Sequence, residues 1–420
     1  MTAPSPVRPK LTLALLTLIY VVNFIDRQLV GIVGQPMKAE LGLSDMQLGL
    51  LGGVAFALFY TVLGLPIARL ADRGSRVAII AISLALWSAM TALCGMAGGF
   101  GALLAARIGV GVGEAGCAPA SQSLVSDLFP REKRATALAL LSLGIPAGML
   151  IGAVAGGWVA QTLGWRAAFL ALGLPGVALA GIAALLLREP RRTSPVAEAP
   201  SLAGVARALA RRPAFLHMMA GATLASFAGY GLTSFVVPLA VRRFDLPLGV
   251  AASGYGLIAG CGIGAGIALG GWLADRLGRS RRGAPGMVAA AGMIVAALLF
   301  QIALLQESPL ALAAVGLVPL LGAHLYFGPT YAVTANCVSP RERATAVAIL
   351  LMAMNAIGLG LGPLAVGALS DHFAATGLSP GDALARALRL DVIVYVWAAI
   401  HFLFAARALA RDSGYDLRHA

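Results

Sequence analysis

Four ionisable residues interrupt apolar stretches in the first half of the chain, at positions where a charge is costly. Asp26 and Arg27 lie in one apolar run, and Arg107 and Glu114 lie in another. A charged side chain near the middle of a bilayer costs roughly 2.5–3.5 kcal/mol, so such residues face a cavity or pair with one another. The chemistry open to these four is proton exchange at a carboxylate and electrostatic binding of an ionic group.

Helix geometry restricts how these four side chains can pair. Asp26 and Arg27 point about 100° apart around one helix, whereas Arg107 and Glu114 are two turns apart on one face. Counting from the outer ends of the two helices places Asp26 level with Arg107 and Glu114 deeper. We therefore predict the ion pairs Asp26–Arg107 and Arg27–Glu114. They form either a static lock or a proton-coupling site, in which Asp26 is the first candidate to titrate and Glu114 the second.

The composition predicts that the elements carrying these residues are membrane helices. Of the 420 residues, 59% are hydrophobic and only 12% are charged, whereas soluble domains contain about 25% charged residues. The net charge of +13 is spread over short loops, which indicates membrane topology and argues against nucleic-acid binding. The four cysteines lack the spacing of a metal site, and no cofactor motif is present.

Twelve apolar runs are long enough to cross a bilayer as helices. These predicted spans are 11–33, 46–68, 77–97, 102–126, 135–161, 166–187, 214–241, 250–273, 285–305, 309–333, 344–370 and 388–408. Basic residues are concentrated in the loops that an inside N-terminus would place in the cytoplasm. We therefore predict an all-α integral protein of a bacterial inner membrane, with both termini cytoplasmic.

The chain also repeats itself, which predicts two pseudo-symmetric six-helix halves at 1–187 and 214–420, joined by a cytoplasmic linker at 188–213. The segment Ala68–Arg76 (ARLADRGSR) returns as Gly271–Arg279 (GWLADRLGR), and Pro130–Ala137 (PREKRATA) returns as Pro340–Ala346 (PRERATA).

These repeated loops resemble the major facilitator superfamily of secondary transporters. The resemblance implies alternating access between the two halves, with a substrate site near the middle of the membrane between them. It also implies an inner gate in the first half with a counterpart in the second. Its residues would be Asp72, Arg73, Arg76 and Asp127, with Asp275, Arg276 and Arg279.

Within that superfamily the charged stretches resemble the Spinster-type branch. These stretches are Asn23–Gln28, Arg107–Gly116 and the glycine-rich Gly144–Gly148. The resemblance implies a proton-driven transporter whose animal relatives move sphingolipid or lysophospholipid. The helix-one Asp-Arg pair and the helix-four Glu-Ala-Gly also resemble the organic-anion:cation symporter branch, so an organic-anion:proton symporter stays as the alternative.

Predicted substrate contacts combine the charged first half with hydroxyls, amides and rings of the second half. They are Asn23, Arg27, Arg107, Glu114, Tyr230, His324, Tyr326, Thr330 and Asn355. A polar half and an apolar half predict an amphiphilic substrate, a lysolipid or sphingoid-like molecule. We expect a monomer with no catalytic set, cofactor, metal or nucleic-acid partner, whose partners are substrate, protons and membrane lipids. A membrane receptor or scaffold is the second alternative.

Overall fold

The computed structural model describes residues 8–190 and 201–411, apart from seven side chains within the helices. Those side chains belong to Leu65, Ala68, Asp72, Arg73, Arg131, Glu132 and Ala135. In the described residues the regular structure is entirely helical, and twelve helices are long and apolar enough to cross a membrane. The predicted all-α membrane fold with twelve spans is therefore confirmed.

The twelve spans are numbered in chain order. They are α1 Pro9–Leu41, α2 Asp45–Ala71, α3 Arg76–Cys94, α4 Phe100–Leu128, α5 Thr136–Leu163, α6 Trp165–Leu186, α7 Pro213–Phe244, α8 Leu248–Gly278, α9 Ala284–Ala303, α10 Pro309–Asn336, α11 Arg343–Ala375 and α12 Pro380–Arg411. Each lies within a few residues of its predicted run, except that α1, α8, α11 and α12 extend further into the polar flanks.

Packing groups the described residues into two compact units. The first contains residues 8–43, 55–190 and 247–256, and the second contains 44–54, 201–246 and 257–411. The first turns of α2 thus pack with the second unit, and the first turns of α8 pack with the first unit. The boundaries predicted from the sequence, 1–187, 188–213 and 214–420, stay a prediction.

Small residues bring α5 against α1 in the first unit. A Cβ on Gly148 would lie within 2.5 Å of the Val21 carbonyl oxygen, and one on Gly152 would lie 3.0 Å from the Ile25 Cα. The Gly-x-x-x-Gly spacing of α5 therefore serves close helix packing against the helix that carries Asp26 and Arg27.

Several spans are interrupted where candidate residues lie. In α4 the helix Phe100–Glu114 ends at the acid itself, and Cys117–Leu128 continues the span. In α10 the break between Pro309–Gly322 and Phe327–Asn336 contains His324 and Tyr326. The π-helical turn Met354–Leu359 of α11 contains Asn355, and such turns are frequent at functional sites.

The predicted linker contains a short helix that the sequence pattern did not indicate. Ser201 caps the helix Leu202–Ala210 by accepting a hydrogen bond from the Gly204 amide. Val205 and Leu209, one turn apart, pack in one apolar cluster with Phe215 and Ala346. The linker is therefore partly attached to the second unit.

Candidate functional site: buried charges on helices one and four

Both predicted ion pairs are present in the first unit. The Nη1 of Arg107 lies 3.6 Å from the Oδ1 of Asp26, and the Nε of Arg27 donates to the Oε2 of Glu114 at 2.7 Å. Asp26, Arg107 and Glu114 are buried, whereas the Arg27 side chain is 19% exposed. Arg27 is thus the member of this charge tetrad that an incoming ion could reach.

A threonine on α3 completes the surroundings of Asp26. The Thr91 hydroxyl hydrogen-bonds the Oδ2 of Asp26 and lies 3.0 Å from the Trp87 carbonyl oxygen. With one proton, the hydroxyl can donate to an ionised Asp26. It can instead accept from a protonated Asp26 and donate to Trp87. Both protonation states of Asp26 therefore keep a hydrogen bond, and nothing in the sequence pattern indicated this partner.

We expect Thr91→Val to move the half-maximal point of pH-dependent uptake upward by about one pH unit. The variant keeps the side-chain shape but removes the hydrogen bond from both states of Asp26. The ionised state loses more, because a hydrogen bond to a charged group contributes about 1.5–3 kcal/mol and one between neutral groups about 1 kcal/mol. Uptake into proteoliposomes over a pH series measures the shift. Ser88→Ala is the matched control, because it removes another buried hydroxyl of α3 that has no hydrogen-bond partner among the described residues. Identical profiles for Thr91→Val and the parent would contradict the expectation.

Aromatic rings surround the Arg27 guanidinium. Its Cζ lies 5.1 Å from the ring centre of Phe24, 5.0 Å from that of Phe56 and 4.6 Å from that of Tyr60. Phe56 also lies 5.6 Å from the Arg107 Cζ. Ring faces stabilise a cation without neutralising it. The spacing of Phe56 and Tyr60, one turn apart on α2, is the signal that could have identified them.

Asn23, also predicted to contact substrate, is buried on α1 one turn before these charges. The structure therefore brings Asn23, Asp26, Arg27, Arg107 and Glu114 together on two helices of one unit. The predicted substrate contacts of the second half are described separately below.

The predicted gate residue Arg76 forms a charge cluster at the start of α3. Its Nη1 donates to Asp127 at 2.5 Å, and its Nε donates to Glu189 at 2.7 Å. The Ser123 hydroxyl is a further acceptor, at 3.1 Å from Nη1. Arg76 and Asp127 were predicted from the sequence, whereas Glu189 was missed because it was assigned to the linker.

The structure describes only some of the other predicted gate residues. The side chains of Asp72 and Arg73 lie outside the described part of the structure. Asp275, Arg276 and Arg279 are exposed and form no ion pair with any residue that the structure describes, and Arg276 lies over the Trp272 ring instead. Among the residues that the structure describes, these three therefore form no counterpart of the Arg76 cluster, and their role in a gate stays a prediction.

In the second unit the predicted substrate contacts differ in their burial and in their hydrogen-bond partners. The Tyr326 hydroxyl lies 3.1 Å from the Ser226 hydroxyl, and the His324 Nδ1 lies 2.8 Å from the Leu320 carbonyl oxygen. Thr330 is buried, while Tyr230 and Asn355 are half-buried. Tyr230 and Asn355 are thus better placed than Thr330 and Tyr326 to meet a ligand in this conformation.

An ionic cluster at the start of α2 was not predicted from the sequence. Both Nη atoms of Arg242 donate to the two carboxylate oxygens of Asp45, at 2.6 and 2.7 Å. Ser370 donates to the same carboxylate, and Asp371 accepts from the backbone amides of Asp45 and Met46. Arg242 had been counted only as a topology signal, whereas in the structure it attaches α2 to α7 within the second unit.

Two histidines of the second unit contact each other. The Nδ1 atoms of His217 on α7 and His401 on α12 lie 3.1 Å apart. This contact joins the two helices.

Comparison with known proteins decides the family. The sequence model of the Major Facilitator Superfamily matches residues 16–363, most of the chain. The chain belongs to the Major Facilitator Superfamily. It is therefore a transporter and not an enzyme.

Two relatives in the superfamily have names that describe different transport activities. The chain is 35% identical to an MFS-type efflux pump of Mycolicibacterium smegmatis over 96% of this chain and 94% of that protein. It is 32% identical to the probable galactarate/D-glucarate transporter GudP of Bacillus subtilis, over 44% of this chain and 42% of that protein.

A solved structure provides an architectural comparison over almost the whole chain. The crystal structure of a bacterial homologue of the human lysosomal transporter Spinster, inward-facing and unoccupied, matches with a TM-score of 0.87 and 32% identity. The match covers 97% of this chain and 98% of that chain. The resemblance to the Spinster-type branch is thereby confirmed.

Proposed function

We propose that this protein is a proton-coupled secondary transporter that works by alternating access and carries an amphiphilic, lipid-like substrate. The observation that supports proton coupling best is Asp26. It is buried, its counter-ion Arg107 is 3.6 Å away, and Thr91 can serve either protonation state. A group held in this way can exchange a proton when its surroundings change from dry to wet.

The charge balance of the tetrad links the proton to the substrate. Two arginines and two carboxylates sum to zero, so protonation of one carboxylate leaves a net charge of +1. A positive site with Arg27 partly exposed attracts an anionic or zwitterionic head group. Proton binding thus favours substrate binding, and by reciprocity substrate binding favours proton binding.

The lipid-like substrate class rests on the Spinster-type similarity and on the apolar character of the second half. Tyr230, His324, Tyr326, Thr330 and Asn355 remain the proposed contacts there. The alternative is an organic-anion:proton symporter, and the similarity to the GudP transporter over 44% of the chain supports it.

Competition binding separates these two substrate classes. We expect a long-chain lysophospholipid to raise the melting temperature of the purified protein and D-glucarate to leave it unchanged, because the glucarate lacks an apolar tail to bury. An uncharged detergent of equal chain length is the control for nonspecific stabilisation. Stabilisation by glucarate, with the lysophospholipid no better than the detergent, would select the organic-anion alternative.

A receptor or scaffold is the remaining alternative, and substrate flux in proteoliposomes distinguishes it from a transporter. The protein is a multi-pass membrane protein, which we place in the bacterial inner membrane as a monomer with cytoplasmic termini. The Arg76 cluster, together with Asp72 and Arg73, is our proposed cytoplasmic gate.

A further inference from the structure

A further buried acid lies in the second unit, apart from the tetrad. Asp391 on α12 is 3% exposed, and both of its carboxylate oxygens are buried without a hydrogen-bond partner among the described residues. Counting about 1.5 Å per residue, it lies roughly 16 Å along the helix from Pro380. A buried ionisable residue in a membrane helix, without a hydrogen-bond partner, calls for a functional explanation.

The carboxyl group occupies a space that neighbouring helices leave for it. A Cβ on Gly231 of α7 would lie 2.9 Å from Oδ2 and 3.0 Å from Oδ1 of Asp391, and 2.9 Å from Val366 of α11. Any larger residue at position 231 would therefore displace the carboxyl group. Glycine lets α7 approach the acid closely.

The charged side chains near Asp391 in sequence or on the helices packed against it bind other groups. On α7, Arg242 binds Asp45, and Arg243 donates to the Leu304 carbonyl oxygen at 2.6 Å. On α12 itself, Arg389 donates to Gln301 of α9 at 3.1 Å. On α11, Asp371 accepts from backbone amides of α2.

The remaining titratable groups near this acid are tyrosines and one histidine. They are Tyr395 on α12 close to the acid, with Tyr230 on α7, Tyr326 on α10 and His372 on α11 elsewhere on these helices, while Arg386 of α12 lies over the Phe373 ring. Within the residues that the structure describes, Asp391 has no ion-pair partner. A carboxylate without counter-charge or hydrogen bond is strongly disfavoured in an apolar interior, so the neutral acid is the form that fits this conformation.

Asp391 also marks a break in its helix. The helix Pro380–Asp391 ends at the acid, and Val394–Arg411 continues the span. Between them the amides of Ile393, Tyr395 and Val396 bond the carbonyls three residues back. A short stretch of this tighter geometry in the middle of a helix is typical of a hinge.

We propose that Asp391 is a second proton-binding site, which holds its proton in the conformation described here and releases it to water when the α12 hinge opens. The step breaks one O–H bond of the carboxyl group and transfers the proton to water, with no other reactant. The idea extends the proposed proton coupling, because each half of the transporter would carry its own titrating acid.

Infrared spectroscopy tests the protonation state without any substrate. In purified protein at neutral pH, we expect the carboxylic-acid C=O absorption to lose intensity in Asp391→Asn and to decline in the parent as the pH is raised. Asp391→Leu, which suits the apolar surroundings, repeats the comparison if the amide impairs folding. Spectra of both variants identical to the parent spectrum would overturn the proposal, because Asp391 would then already be ionised.

Hydrogen exchange tests the link to the hinge. If opening requires loss of one proton, the open population of residues 392–396 rises up to about tenfold per pH unit in the parent relative to Asp391→Asn. Comparison at equal pH cancels the intrinsic pH dependence of exchange. A constant ratio between the two proteins over the pH series would overturn the coupling to the hinge.

These outcomes are independent of the role proposed for Asp26. Suppose that Asp26→Asn still couples uptake to the pH gradient, while the infrared and hydrogen-exchange effects expected for Asp391 are both observed. The assignment of coupling to Asp26 then fails and the second site stands. If Asp26→Asn abolishes coupling and the infrared and hydrogen-exchange effects expected for Asp391 are not observed, the second site fails and the proposed function stands.

Discussion

Asp26→Asn is expected to abolish uptake driven by a pH gradient while leaving the protein folded. Asparagine has nearly the shape of a protonated aspartic acid, and its amide can still hydrogen-bond Thr91, which contacts the carboxylate of Asp26 in the parent. Arg107 loses its counter-charge but keeps its contact with the Phe56 ring. The variant therefore resembles a transporter fixed in its protonated state, which binds substrate but cannot release a proton.

Proteoliposomes with an imposed pH gradient provide the measurement. We expect accumulation in Asp26→Asn to fall to the level of empty liposomes, while exchange of internal for external substrate without a gradient continues. Glu114→Gln is the matched comparison, and we expect it to weaken binding or coupling less completely. Unchanged pH-dependent accumulation in Asp26→Asn would exclude Asp26 as the coupling acid.

Arg27→Met is expected to cause a large loss of stability, because it leaves Glu114 buried without its cation. Removal of one partner from a buried ion pair costs about 3–5 kcal/mol. The reverse change, Glu114→Gln, should cost less, since the Arg27 side chain is 19% exposed and keeps its three aromatic neighbours. The asymmetry follows from the difference in burial between the two partners.

The double variant Arg27→Met/Glu114→Gln distinguishes a purely structural role of this ion pair from a role in substrate binding. We expect it to regain most of the melting temperature lost in Arg27→Met, because no buried charge is left unpaired, and yet to bind no anionic head group. Thermal unfolding and binding of a long-chain lysophospholipid measure the two properties. Full binding by the double variant would mean that the pair only joins α1 and α4.

The pairing of the tetrad could be predicted from the sequence because it depends on helix geometry alone. Two positions on each of two antiparallel helices leave few combinations of depth and direction, and the predicted pairs are those observed. Thr91, Phe56 and Tyr60 could not be predicted in this way. They lie on α2 and α3, and nothing local to those segments specifies which face meets Asp26 or Arg27.

The burial of Asp391 could not be predicted from the sequence either. The predicted apolar run begins at 388, which places the residue near the end of the span, but the helix begins at Pro380 and has the acid about a third of the way along. Helices can extend beyond their apolar run because polar residues at amphipathic positions pack against neighbouring helices.

The sequence by itself determined the membrane class, the twelve spans, the family and the charge pairs of α1 and α4. These follow from hydrophobic length, repeated loop motifs and helical periodicity, which are properties of single segments. Only the tertiary structure decided that Asp45 binds Arg242, that Glu189 joins Arg76, and that Asp391 lies beside Gly231. Each of these contacts joins segments far apart in the chain, and helix packing, which no local pattern encodes, decides which side chains meet.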